Sequence, residues 1–154
     1  MAVSVAPRAP PGVWWRRRRT CGLSLDTARY SLAPNVRAFG VRMKIGHSPR
    51  YAEGGSNDYL TLFVEEGKML RPVLSDHAMR SWTMVDSSGC FDQMENSQLP
   101  CVIENQTNAL ALSTTSTNGW RDLDLITTTT LDWENGPGKR GVARKLRYER
   151  KKYQ

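Results

Sequence analysis

At 154 residues and a net charge of +7, the chain is long enough for one domain with a modest core and too short for two. No apolar run approaches the ~18 residues that a membrane-crossing helix needs, and three cysteines (Cys21, Cys90 and Cys101) do not make a disulfide framework. They fit thiols of a reducing compartment better.

The charge falls in blocks. Residues 1–46 hold nine basic side chains against Asp26. Residues 47–138 hold five basic and thirteen acidic ones, and residues 139–154 hold eight basic ones against Glu149. Two cationic ends therefore flank an acidic middle. Such ends either bind an external polyanion or fold back onto the acidic block.

Residues 1–35 read as a disordered basic arm or a targeting segment. Pro7, Pro10 and Pro11 break the first dozen positions, and Trp14-Trp15 precede Arg16, Arg17, Arg18 and Arg19. The arginine-rich, acid-poor composition resembles a mitochondrial transit peptide, with Arg29-Tyr30-Ser31 resembling a cleavage site that would start the mature chain near Ser31. The competing reading takes Arg16–Arg19 as a nuclear or nucleic-acid patch. The expected location is the nucleus or the mitochondrial matrix.

A small β-rich domain is expected over 36–138. Phe39, Val41, Met43 and Ile45 alternate with Gly40, Arg42 and Lys44, the pattern of a strand with an apolar and a cationic face. Residues 53–58 make a glycine-rich polar loop. Tyr59 to Glu65 is the next strand, apolar on both sides, and Glu66-Gly67-Lys68 is a turn. Ser75 to Met79 is expected to start a short helical turn capped by Ser75. Ser81–Val85, Cys101–Ile103 and Ala109–Leu112 are short apolar patches, residues 86–100 form a loop with one helical turn near Asp92–Glu95, and Ser113–Gly119 is a polar link. From Arg121 to Trp133 the alternation is clearest. Leu123, Leu125, Thr127, Thr129 and Leu131 share one side, opposite Asp122, Asp124, Ile126, Thr128 and Thr130.

After Glu134-Asn135-Gly136-Pro137-Gly138, residues 139–154 are expected to form a basic helix, because Ala, Arg, Lys, Leu and Glu dominate it. The expected class is thus mainly β (small α+β): a short-stranded sheet domain with a basic arm before it and a basic helix after it.

The chemistry-bearing residues are few. His47 and His77 lie in no triad-like spacing, and no nucleophile elbow exists. Cys90 and Cys101 lack the spacing of metal ligands. Asp122 and Asp124 share one strand face and are read as its solvent side. The glycine turn before Lys139 fails the Walker pattern, since Arg140 rather than Ser or Thr follows the lysine. No enzyme, metal or cofactor is expected.

The function expected from sequence is non-enzymatic binding of nucleic acid, RNA more than DNA. The phosphate contacts come from Arg16, Arg17, Arg18, Arg19, Lys139, Arg140, Arg144, Lys145, Arg147, Arg150, Lys151 and Lys152, with Tyr148 and Tyr153 as stacking faces. The alternative is a protein–protein interaction or assembly subunit with an acidic protein as partner, or a chain left largely disordered.

Overall fold

The structure, a computed structural model, describes residues 21–46, 53–86, 102–132 and 138–154. Seven antiparallel strands follow one another in space in their chain order: β1 (Gly22–Ala33), β2 (Val36–Lys44), β3 (Gly54–Glu66), β4 (Met69–Asp86), β5 (Val102–Thr117), β6 (Trp120–Leu131) and β7 (Lys139–Leu146). A two-stranded hairpin, β8 (Tyr148–Glu149) and β9 (Lys152–Tyr153), ends the chain. The meander curls into a half-barrel, so β1 comes into contact with β5 and β6 without pairing to them. The mainly-β expectation holds.

Tight turns set the registers at one end. Asn35 (φ 60°) turns β1 into β2, Gly67 (φ 66°) turns β3 into β4, and Asn118-Gly119 (φ 53° and 79°) turn β5 into β6. The last pair has the left-handed geometry at both central positions that matches strand twist.

The concave face is the core. Tyr30, Leu32, Ala38, Leu60, Leu62, Val64, Leu74, Leu123 and Leu146 are buried there, with Leu110, Leu112 and Trp120 packed against them. Burying a side chain of this kind contributes roughly 1.5–3 kcal/mol relative to leaving it exposed. At Gly40 the wall is so close that a Cβ would meet Asp26 Cβ at 2.7 Å and Leu60 Cδ1 at 2.8 Å. The convex face takes the opposite alternation: Leu23 and Leu25 pair with Met43 and Val41, and Phe39 stacks on its register partner Phe63 with centroids 6.0 Å apart.

Several expectations require correction. Residues 139–154 contain no helix: they form β7 along β6 and then the β8–β9 hairpin. Helical propensity is worth tenths of a kcal/mol per residue, whereas the strand pairs with β6 and places Leu146 and Tyr148 on one side, into the core. The helical turn at Ser75–Met79 is instead part of β4, and Ser113–Thr117 belongs to β5. Gly22–Ala33 of the N-terminal segment is β1, so the expected boundary at residue 36 falls at the start of the second strand. Residues 87–101, with the expected turn near Asp92–Glu95, lie outside the described residues.

Candidate binding surface

The eight tail cations stand on β7 and the hairpin that closes one end of the half-barrel. That hairpin is held firmly. Tyr148 stacks on Trp120 (centroids 4.0 Å, planes 7° apart), and Tyr153 meets Tyr148 edge-on at 5.4 Å. Tyr153 Oη donates to the Arg121 carbonyl at 2.6 Å, and Asn118 Nδ2 donates to the Tyr148 carbonyl at 2.9 Å. Arg71 reaches from β4 to donate to the Lys151 carbonyl at 2.6 Å and to Tyr148 Oη at 3.3 Å. Arg147 and Gln154 exchange backbone hydrogen bonds of 3.0 and 3.1 Å. Tyr148 and Tyr153 are therefore core residues, 7 % and 4 % exposed, and cannot be the stacking faces expected from sequence.

Of the eight cations, Lys145 is the one whose side chain is engaged by other described residues. Its Nζ lies 3.6 Å from Asp124 Oδ1 and donates to Ser113 Oγ at 2.7 Å and Thr115 Oγ1 at 2.9 Å. Thr115 Oγ1 in turn donates to Asp122 Oδ2 at 2.6 Å. Residues 113–115 bulge out opposite Asp122, and this brings the cluster together. The expectation that Asp122 lies on a solvent face is corrected: it is 2 % exposed. Lys139, Arg140, Arg144, Arg147, Arg150, Lys151 and Lys152 are exposed, and none makes an ion pair among the described residues. Among the described residues, then, the acids of the middle block pair with Lys145 alone of the tail cations. Arg150 and Lys151 form the hairpin tip with φ of 50° and 67°, a left-handed conformation that non-glycine residues adopt at a cost of about 1 kcal/mol or more each.

Arg16, Arg17, Arg18 and Arg19 lie outside the described residues, as do His47, Cys90 and Cys101. Cys21 is an exposed free thiol. No group of three potential metal-ligating side chains occurs among the described residues.

Sequence reasoning missed three arrangements because each depends on register. Arg42 sits on the concave side, where its Nε and Nη1 donate to Asp26 Oδ2 and Asp58 Oδ2, each at 3.0 Å. Burial works against the Arg42 charge, but those hydrogen bonds and charges outweigh it and raise its pKa. Trp82, Asn105 and Thr130 are register partners on adjacent strands, beside Arg80 and Thr107, and line a shallow polar cleft. His77 is turned inward by a bulge in β4. Leu62 pairs with Leu74 and Leu60 with His77, leaving Ser75 and Asp76 opposite Thr61. An unbulged strand would put residues 74 and 77 on opposite faces. Asp76 takes a φ of 47° there, and its N–H donates to Thr61 Oγ1 at 3.1 Å. Burial, and then the charge of Arg144, hold the His77 imidazole below its usual pKa.

Compared with known proteins, the chain matches no family model, no curated sequence and no solved structure. No helix among the described residues is long and apolar enough to cross a membrane.

Proposed function

We propose that the protein is a non-enzymatic interaction module that takes an acidic, extended protein segment along the free edge of β7. The observation that carries this reading is the edge itself. β7 is the last strand of the sheet, with no neighbour beyond it among the described residues, and three of its four cations, Lys139, Arg140 and Arg144, are exposed and make no ion pair among those residues. An eight-residue strand offers about 26 Å of outward backbone donors and acceptors for strand addition. Lysines and arginines on an edge repel a second copy of that edge, which protects against self-pairing. The same charges attract a strand that carries carboxylates. The hairpin tip supports the reading further, since Asn-Gly would make its turn with less strain than Arg150-Lys151.

Nucleic-acid binding through phosphate contacts is the second reading. The seven unpaired cations favour it, while the burial of Tyr148 and Tyr153 removes its base-stacking component. One titration separates the two. The full chain is titrated with a labelled peptide alternating Glu and Val, with the matching Lys and Val peptide, and with a generic single-stranded RNA, each across a salt series. The expected result is binding of the acidic peptide alone, weakened by salt and lost in the variant carrying Lys139→Glu and Arg140→Glu. RNA binding tighter than the acidic peptide would replace this reading with the second one, and no binding to either would remove both.

A further inference from the structure

A cleft of about 270 Å³ opens between β4 and the C-terminal strands, lined by Ser75, His77, Arg144, Lys152 and Gln154 over a floor that includes Leu74. Two bulges build it. The one at Ser75-Asp76 turns His77 inward, and a second in β7 leaves Ala143 unmatched between the pairs Ile126–Val142 and Leu125–Arg144. Arg144 thereby shares a side with the core residues Leu125 and Leu146, away from Lys145.

Among the described residues the charges in this cleft are unbalanced: Arg144 and Lys152 make no ion pair there, and no described Asp or Glu side chain lines the space. The nearest acids in sequence are occupied: Asp76 bonds with Thr61, and Glu149 Oε2 accepts from Gln154 Nε2 at 3.0 Å. His77 Nε2 is enclosed and has no hydrogen-bond partner among the described residues. An orphaned N–H costs more than an orphaned lone pair, so in the neutral ring the proton belongs on Nδ1, leaving an N–H donor for a ligand. Two cations, one N–H and the Ser75 hydroxyl then line one small space, and each can donate to an incoming acceptor.

We infer that this cleft seats a single oxyanion group, a phosphate or a carboxylate, between Arg144, Lys152, Ser75 and the Nδ1–H of His77. Guanidinium forks and carboxylate or phosphate oxygens match in geometry, and an anion there removes the mutual repulsion of the two cations. The seat is on the concave side and stands independently of a partner on the β7 edge.

The test uses the full chain and small anions. Inorganic phosphate and acetate are titrated at constant ionic strength against a chloride control, with thermal unfolding and the NMR signals of the His77 ring as readouts. A saturable rise in Tm with a saturable shift of the His77 signals is expected. Saturation by phosphate alone assigns the seat to a phosphate group, and saturation by acetate as well assigns it to oxyanions generally. Arg144→Gln and Lys152→Gln are each expected to weaken binding by about tenfold, with Arg37→Gln, an exposed β2 cation whose register partner is Ser31, leaving it unchanged. The absence of saturation by either anion would overturn the inference. Equal losses in the Arg37 and Arg144 variants would do the same, since they would mean diffuse attraction rather than a seat. The ring signals of the unmodified chain keep the test decisive if a variant does not fold. Because no strand partner is involved, failure here and failure of the peptide titration are separate results.

Discussion

Arg42 bridges two carboxylates from neighbouring strands, and its loss would leave the most buried of them, Asp58, without a counter-charge. The side chains are 29 % (Arg42), 11 % (Asp26) and 5 % (Asp58) exposed. Removing one member of a buried pair typically costs 3–5 kcal/mol, less where solvent reaches the group. Arg42→Leu is therefore expected to lower stability by about 2–4 kcal/mol in urea unfolding at neutral pH. A second expectation concerns alkali. Burial, then the charge of Asp26, pushes the Tyr30 phenol up to about 12, and burial raises Tyr153 as well, followed by the charge of Asp122. The unfolded chain loses these protons near pH 10. Between about 10 and about 12 the folded state holds more protons than the unfolded one, so stability is intact below that window and falls as pH rises through it. Tyr30→Phe should make the fall shallower, as read from urea midpoints across the same pH range. The sequence pattern placed Arg42 on a cationic face but carried no sign that Asp26 and Asp58 would meet it there.

Among the elements, the C-terminal hairpin departs furthest from local preference. Its two-residue tip holds Arg150 and Lys151 in the left-handed region, while the aromatic stack of Trp120, Tyr148 and Tyr153 and the hydrogen bonds from Arg71 hold it in place. Replacing the tip by Asn-Gly should raise stability by about 1 kcal/mol, measured as a higher urea midpoint. If the tip cations contact a partner, the same change weakens binding of the acidic peptide. Tyr148→Ala should cost about 3 kcal/mol or more, since it removes a buried ring and one side of the stack. Helical composition alone favoured the opposite structure for this element. What overrides it is non-local: Trp120 lies 28 positions before Tyr148, and Arg71 lies 77 before it.

At the scale of the whole molecule, one curled sheet makes a filled concave side and a convex side that stays partly open. A single strand shows both environments: on β1, Leu32 is fully buried, whereas Leu23 and Leu25 are each 72 % exposed. Leu32→Ala should cost about 2–5 kcal/mol, while Leu23→Ser with Leu25→Ser should stay within about 0.5 kcal/mol per site, both by urea unfolding. Much of this architecture is legible in the residues. Period-two alternation marks β2, β3 and β6, and Leu123 and Leu125 face the core as their side of β6 predicts. The block arrangement of charge is equally plain, because ionisable side chains declare themselves without a fold. Three other features belong to the tertiary structure. The apolar set Phe39, Val41 and Met43 lies on the convex side because β2 directs Ala38 and Gly40 into the core. The tail is a strand because β6 offers an edge to pair with and the end of the half-barrel offers a place for Tyr148 and Tyr153. His77 and Arg144 share a cleft because two bulges each shift a strand by one residue. Alternation and charge are properties of neighbours along the chain. Facing, pairing and bulges depend on residues far apart in sequence, and only the folded sheet brings those together.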